Sequence, residues 1–299
     1  MSEKKKIKRR IGDRKDARRV RKIDSMHAFV PYLLPGRVDN EAVLTEYADV
    51  SNLEKYIAKK NEDNPEFKYT VFHGVLAALA KTIYLRPKMN YFYQGHRLYE
   101  RNDILFSFVV KRQFADSSEE ALAIVKIDKE SELSPMDQMY GKVKKFVTRV
   151  RKNNETDGAT DIIGKLCKLP RFLLKFVVWV LKKLDYYGIM PTALSKDDPY
   201  YSTVFVSNLG SIKSTASYHH LTNWGTNSVF VIVGEMKKKQ VLDKDDNPVV
   251  KKVIPFGITV DERIADGFYF AKSFKIFRHL IENPELLDRP LHEDIDFKV

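Results

Sequence analysis

The sequence predicts an α/β fold, because segments with strand patterning and segments with helix patterning alternate along most of its 299 residues. Apolar residues recur at helical spacing over Thr70–Tyr84, which predicts a buried helix. Short runs rich in β-formers, such as Ile104–Val110 and Val229–Val233, predict strands. An amphipathic pattern predicts a helix over Phe268–Ile281. With 43% hydrophobic residues, the chain is not expected to be disordered as a whole.

Further elements fill the chain between these segments. Helices are predicted over Asn52–Lys60 and, with a basic amphipathic character, over Pro135–Lys152. The run Tyr91–Tyr99 is divided by Gln94-Gly95, a pair typical of a hairpin turn. A charged hairpin is predicted with its turn at Asp243–Asn247. The other predicted strands are Ala42–Val50, Ala121–Ile127, Ser202–Val206, Val249–Val253 and Ile254–Val260.

The net charge of +12 is concentrated at the N-terminus. Residues 1–22 hold twelve Lys or Arg against three Asp or Glu, so this segment carries nine of the twelve excess charges. We predict that residues 1–22 form a solvated basic tail, with an acidic partner, a membrane surface or nucleic acid as alternatives. No aromatic residue is interleaved with the charges, which weakens the case for base stacking. Residues 23–299 are predicted to form one domain.

A second unusual segment lies at about residues 160–195 and resembles an insertion. Its run Phe172–Leu181 is apolar apart from Lys175 and is flanked by basic residues. It is too short to span a bilayer, and no apolar run of 18 residues occurs in the chain. One interpretation is a core or subunit-interface helix. The other is an interfacial membrane helix over residues 172–183, with the basic tail as a second attachment.

Common catalytic motifs are absent from the sequence. There is no P-loop, no dinucleotide-binding glycine pattern, no H-E-x-x-H and no G-x-S-x-G. The single cysteine, Cys167, excludes an internal disulfide and a Cys-rich zinc site, and it fits a reducing, cytoplasmic location. Among seven histidines only His219 and His220 are adjacent, and neighbouring positions on a strand point to opposite faces. No metal site is therefore expected.

A linked set of motifs occupies the last hundred residues. A strand leads into Ser207-Asn208-Leu209-Gly210, and about fifty residues later Asp261-Glu262-Arg263-Ile264-Ala265-Asp266-Gly267 precedes a helix that ends near Asn283-Pro284. This order resembles the catalytic domain of the dihydrolipoyl acyltransferases of 2-oxoacid dehydrogenase complexes, a family similar in fold to chloramphenicol acetyltransferase. The resemblance implies a two-layer α/β fold, with a mixed sheet covered by helices. It also implies a homotrimer whose active sites combine residues from two subunits.

The resemblance assigns roles to several residues of this sequence. Ser207 matches the hydroxyl that stabilises the oxyanion, and Asn208 and Gly210 belong to the same turn. Asp266 and Gly267 match the structural Asp-Gly pair of the family, in which the aspartate holds the site through a basic partner. Glu262 stands where the family has the histidine that deprotonates a thiol. No lipoyl domain or lipoyl attachment site is seen in the sequence.

The glutamate at position 262 leaves the identity of the base open. An unperturbed Glu has a pKa about 4 units below that of a thiol, so Glu262 acts as a base only where burial raises its pKa. An adjacent Arg263 would lower that pKa if the two side chains met. Alternatives are a structural carboxylate, a binding site for an amine acceptor, or a base supplied by His219 or His220. Ser207 is equally open between an oxyanion donor and a hydroxyl that bonds its own turn.

The resemblance implies an acyltransferase-like protein that uses a coenzyme A or pantetheine thioester as acyl donor and an acceptor that the sequence does not identify. A non-catalytic homologue that serves as a trimeric scaffold is the first alternative, since the family histidine is replaced. The second is a peripheral membrane acyltransferase for a lipid-linked acceptor.

Overall fold

The computed structural model describes residues 9–111, 120–153, 164, 166–242 and 245–297. Its helices, numbered in chain order, are α1 Ser25–Leu33, α2 Ser51–Lys60, α3 Val71–Leu85, α4 Pro135–Asn153, α5 Arg171–Tyr186, α6 Thr192–Ser195 and α7 Gly267–Glu282. Its strands are β1 Ala17–Arg19, β2 Glu41–Asp49, β3 Tyr91–Gln94, β4 Arg97–Arg101, β5 Ile104–Lys111, β6 Glu120–Ile127, β7 Val204–Asn208, β8 Val229–Val233, β9 Lys237–Leu242 and β10 Pro248–Asp261. None of the described helices has the length and apolar character needed to cross a bilayer.

A mixed sheet organises the fold. Its strand order is β2-β10-β8-β7-β5-β6, with β9 paired to the first half of β10. β7 runs parallel to both β5 and β8, and the other neighbouring pairs are antiparallel. Alternation along each strand divides the side chains between two faces, which we call the helix face and the open face. The predicted α/β fold with a mixed sheet and covering helices is confirmed.

The helix face carries the main hydrophobic core. Phe106, Val206, Val231 and Phe256 project from four neighbouring strands and are almost completely buried. Helices α3, α4 and α7 cover them, and α3 is apolar on nearly every side because it lies between the sheet and the other helices. The helix predicted over Thr70–Tyr84 is therefore observed as α3.

The open face has a smaller apolar cluster. Phe205 and Phe230 stack at 4.8 Å between ring centroids, and Ile232 and Leu221 complete a buried group with them. No helix covers this cluster in the described part of the chain; it is covered by the irregular segment 214–222. That segment contains His219 and His220, so the open face is the face on which the candidate site is built.

Two strand predictions need correction. Val249–Val253 and Ile254–Val260 were expected as separate strands, but they form one continuous strand, β10, in which Pro255 is accommodated. Its first half pairs with β9, a Lys-rich strand that was not predicted because its side chains are mostly exposed. The hairpin at Gln94-Gly95 is confirmed, and both Gly95 and His96 take the left-handed conformation that such a turn requires.

The N-terminal basic segment differs from the predicted solvated tail. Residues 1–8 lie outside the described residues, but Ala17–Arg19 forms β1, which pairs with β4. Arg14 and Ala17 are buried, and the Arg14 guanidinium contacts Asp16 and Asp185. The tail prediction is therefore wrong for residues 14–19. The prediction rested on the charge of the segment. Arg14 is nevertheless buried, because the carboxylates of Asp16 and Asp185 pair with its guanidinium.

Helix α5 contains the predicted apolar run Phe172–Leu181. It does not enter the core of its own chain, because Asp185 is its only buried residue. The interpretation as a core helix is wrong for the described chain, whereas a subunit or membrane interface stays a prediction. The boundaries of the predicted insertion at about 160–195 stay a prediction too, and residues 160–163 and 165 lie outside the described part.

Candidate active site

Ser207 lies near the end of the parallel strand β7 and projects onto the open face, since it shares that face with Phe205 two residues earlier. Its side chain is half-buried, and its hydroxyl makes no hydrogen bond to a described residue. The adjacent turn uses a different hydroxyl, because Ser211 Oγ donates to the Asn208 carbonyl at 2.7 Å. Among the described residues, the hydroxyl that bonds this turn is therefore that of Ser211 and not that of Ser207.

The turn after Ser207 is tightly packed against the neighbouring strand end. A Cβ on Gly210 would lie 2.6 Å from the carbonyl oxygen of Gly234. The S-N-L-G motif thus contains glycine because two backbones meet there, and the contact fixes the end of β7 beside β8. Asn208 is half-buried and precedes the short 3₁₀ helix Leu209–Ile212.

Glu262 begins the 3₁₀ helix Glu262–Ile264 that follows β10. Its side chain is exposed, and no described residue hydrogen-bonds to its carboxylate. Arg263, its sequence neighbour, turns away from it and is buried. A single chain thus does not supply the apolar pocket that a Glu base requires.

The paired carboxylate at this end of the sheet is Asp261, which the sequence analysis did not single out. Its two oxygens accept from Arg263 Nε at 2.8 Å and Nη2 at 2.7 Å. A second buried guanidinium, Arg37, places Nε 3.7 Å from Asp261. Burial lowers the pKa of Arg37 to about 10, so it stays charged at neutral pH beside Asp261. The Asp-x-Arg spacing was a visible signal, but Arg37 lies far away in sequence.

This buried group connects the 3₁₀ helix to the N-terminal part of the domain. Arg263 Nη1 donates to the carbonyls of Leu34 and Pro35 at 3.2 and 3.0 Å. Arg37 Nη2 donates to the Tyr93 carbonyl at 3.1 Å, and the Arg263 guanidinium lies 5.2 Å from the Tyr93 ring centroid. The position of Glu262 is therefore fixed by its two buried neighbours in sequence and not by contacts of its own.

Asp266 and Gly267 have a local role in this structure. Asp266 is the N-cap of α7 and accepts from the Tyr269 amide at 2.7 Å. No described basic side chain contacts Asp266, so the paired role that the resemblance implied for it is filled within this chain by Asp261. An added Cβ on Gly267 would meet no atom within 4 Å.

His219 and His220 lie on the segment that crosses the open face. The His219 ring stacks on Phe230 at 4.2 Å between centroids, and its Nδ1 lies 2.7 Å from the His220 carbonyl. A carbonyl only accepts, so Nδ1 carries the proton and Nε2 is left as the basic nitrogen of the neutral ring. His220 bonds the Leu221 carbonyl at 2.8 Å in the same manner. Both rings thus hold the tautomer that a base needs at Nε2.

Two glycines allow this segment to lie directly on the sheet. A Cβ on Gly257 would lie 1.9 Å from the Ser217 carbonyl oxygen, and one on Gly234 would lie 2.4 Å from the Ala216 amide nitrogen. The sheet and the crossing chain therefore touch backbone to backbone at both positions. This contact, which the sequence analysis did not predict, places His219 on the same face as Ser207.

Ser207 and Glu262 lie at opposite ends of the sheet. Val229 of β8 is paired with Val204 on one side and Val260 on the other. Ser207 is three residues beyond Val204, and Glu262 is two residues beyond Val260 in the opposite direction, because β10 is antiparallel to β8. Five extended residues correspond to about 16 Å, at roughly 3.3 Å each. The two side chains do not meet within one chain.

Comparison with known proteins agrees with this architecture. Residues 190–288 match the family model of the 2-oxoacid dehydrogenases acyltransferase (catalytic domain). The predicted resemblance is therefore confirmed, and the matched range includes Ser207 and Glu262. A search of the curated proteins gives no significant match.

Several solved structures share the fold. A dihydrolipoamide acetyltransferase from Azotobacter vinelandii is 15% identical, with a TM-score of 0.57 over 90% of this chain and 94% of its own. A truncated catalytic core of the 2-oxoacid dehydrogenase multienzyme complex from Thermoplasma acidophilum is 14% identical, with a TM-score of 0.54 over 89% and 98%. A chloramphenicol acetyltransferase is 10% identical, with a TM-score of 0.51 over 89% and 98%.

Proposed function

We propose that this chain, which carries the acyltransferase catalytic-domain match described above, transfers an acyl group from a coenzyme A or pantetheine thioester to a nucleophilic acceptor. The observation that carries the proposal is the Ser207 hydroxyl. It is half-buried, lies on the open face, and has no hydrogen-bond partner among the described residues, while Ser211 serves the turn. A preorganised hydroxyl donor of this kind suits the oxyanion that forms when a nucleophile adds to a thioester.

The reaction would follow ordinary acyl transfer. A base removes the proton from the acceptor, and the acceptor atom attacks the thioester carbonyl carbon. The carbonyl oxygen becomes an oxyanion that accepts from Ser207. Collapse of this tetrahedral intermediate breaks the carbon–sulfur bond and releases the coenzyme A thiolate, which takes up the proton. His219 and Glu262 are the two candidates for the base.

The active unit is proposed to be a homotrimer. A base and an oxyanion donor both need to lie within about 3 Å of the reacting atoms, whereas Ser207 and Glu262 of one chain are about 16 Å apart along the strands. A neighbouring subunit that brings its Glu262 to the open face would complete the site. That arrangement would also remove water from around the exposed Glu262 carboxylate.

The first experiment measures thiol release from a panel of acyl-coenzyme A thioesters with thiol, amine and alcohol acceptors. Ser207→Ala should lower kcat/KM about 10²–10³-fold, as removal of an oxyanion donor typically does. Ser211→Ala is the matched control, because it removes a nearby hydroxyl that only serves the turn, and it should leave the rate nearly unchanged. Equal rates for both variants would refute the role of Ser207.

The base is identified by comparing Glu262→Gln, His219→Gln and His220→Gln in the same assay. The variant that removes the base should abolish the ascending limb of the pH–rate profile, whereas a structural residue should lower the rate without removing that limb. Absence of turnover with every donor and acceptor, together with retained coenzyme A binding, would favour the non-catalytic homologue instead.

A shared site has its own test if Glu262 is the base. Ser207→Ala and Glu262→Gln chains, each with strongly reduced activity alone, would be co-expressed. When one site takes Ser207 from one subunit and Glu262 from its neighbour, about a quarter of the sites in random mixed trimers regain both residues. No recovery of activity in confirmed mixed oligomers would show that the two residues do not share a site.

A further inference from the structure

Helix α5 presents an apolar stripe that its own chain does not cover. Phe172, Phe176 and Trp179 follow the i, i+4, i+7 spacing of one helix face and are 76%, 59% and 56% exposed. The rings of Phe176 and Trp179 lie with centroids 6.1 Å apart. In the part of the chain that the structure describes, no residue packs over this stripe, and Asp185 alone is buried in the helix.

The same helix is flanked by positive charge. Exposed basic residues precede it at Lys168, begin it at Arg171, interrupt it at Lys175 and follow its apolar part at Lys182 and Lys183. No acidic residue occurs between residues 164 and 184. The Lys183 ammonium lies 5.9 Å from the Trp179 ring centroid, so a cation borders the apolar stripe.

The basic N-terminal segment is attached at the C-terminal end of this helix. Arg14 Nη2 contacts the Asp185 carboxylate at 3.2 Å, and Nη1 donates to the Asp185 carbonyl at 3.1 Å. Both side chains are buried, so the contact is a fixed junction. The exposed Arg9 and Arg10 precede this junction by five and four residues, so they belong to a basic segment that is joined to α5 through Arg14.

We propose that α5 docks on the surface of an anionic lipid bilayer, with Phe172, Phe176 and Trp179 inserted at the headgroup level. The apolar aromatic stripe, the flanking lysines and the adjacent basic segment together match the pattern of an interfacial helix. Charge decides against a second copy of this chain, since two such helices packed on each other would bring their basic residues together. This proposal does not depend on the acyltransferase proposal, because none of its residues belongs to the candidate active site.

The experiment measures partitioning of the full chain into vesicles of phosphatidylcholine with 30% phosphatidylglycerol, and into phosphatidylcholine vesicles alone. Binding to the anionic vesicles should be strong at low salt and should weaken as salt is added. Lys182→Gln with Lys183→Gln should weaken binding about 25-fold, at roughly 5-fold for each basic residue near the surface. Lys55→Gln with Lys59→Gln, on exposed positions of α2, is the matched control and should change little.

The apolar stripe is tested separately. Phe176→Ser with Trp179→Ser should reduce binding at least 10-fold, whereas Phe268→Ser, which removes a 71% exposed aromatic residue from α7, should not. Brominated lipids should quench the tryptophan fluorescence of the native chain and not that of Trp179→Phe, which keeps an aromatic ring in the stripe.

Three results would overturn the proposal. The first is no binding of the native chain to anionic vesicles at low salt. The second is binding that the Phe176 and Trp179 substitutions leave unchanged. The third is a change of oligomer size in those variants, measured by light scattering, which would make the stripe an interface between copies of the chain.

Discussion

His73 should make this protein sensitive to mild acid. It is the third residue of α3 and is buried, and its Nδ1 accepts from the Thr70 amide at 2.9 Å across the first turn. Burial lowers the pKa of His73 from 6.5 to about 4. Between these values the unfolded chain binds a proton that the folded chain does not. Above pH 6.5, His73 therefore does not reduce the free energy of unfolding. As the pH falls from 6.5 toward 4, protonation of His73 in the unfolded chain lowers that free energy progressively.

The size of the effect follows from these two pKa values. At pH 5, the unfolded state is stabilised by about 2 kcal/mol relative to the folded state through this one residue. His73→Gln provides the comparison, because Gln at this helix position also accepts from the N-cap amide but does not titrate. We expect the native chain to lose about 2 kcal/mol relative to His73→Gln between pH 7 and pH 5.

The assay is urea unfolding of both proteins at matched chain concentration and pH values from 7 to 4.5, since oligomerisation makes stability depend on concentration. The difference between the two free energies of unfolding, and not either value alone, is the measured quantity. Any constant packing cost of the substitution then cancels. A difference that does not vary with pH would refute the assignment of His73 as a buried neutral histidine.

Two further substitutions, the first with a matched control, test the supports of the candidate site. Asp261→Asn should lower the free energy of unfolding by about 3–5 kcal/mol, because it leaves the buried Arg263 without its counter-ion. The control is Asp266→Asn, which should lower it by under about 0.5 kcal/mol because Asn also serves as a helix cap at this exposed position. Similar melting temperatures for the two variants would contradict this contrast. Gly257→Ala should displace the segment that carries His219, since the new Cβ would lie 1.9 Å from a backbone oxygen; unchanged His219 resonances and unchanged activity would show that the close contact is wrong.

Local patterns were sufficient for most of the fold. Apolar spacing placed α3 within one residue of its observed limits, and Gln94-Gly95 located a hairpin because the turn has a strict backbone requirement. The patterns failed where tertiary contacts override local signals. A break was predicted between Val253 and Ile254, yet β10 is continuous there, and the carbonyl of the next residue, Pro255, accepts from the Gly234 amide. The exposed, Lys-rich β9 has only two apolar residues, Val241 and Leu242, both at its end, which gave too weak a signal to predict a strand.

The candidate site divides in the same way. Ser207 and its turn could be found from a short motif, because the chemistry and the backbone geometry lie in four consecutive residues. The second guanidinium beside Asp261 could not be found from sequence, because Arg37 approaches it from a distant segment. The sequence also raised a contact between Glu262 and Arg263, but a buried Asp261 competes better for the guanidinium than an exposed Glu262.

By itself, the sequence determined the family resemblance, the alternation of strands and helices, and the replacement of the expected histidine by Glu262. These properties depend on residue identity and on spacing within short segments. Only the tertiary structure decided that Glu262 is exposed and far from Ser207, that His219 lies on the face of Ser207, and that the basic N-terminal segment is anchored beside α5. Those relations depend on strand direction and on buried contacts between distant segments, which no local pattern contains.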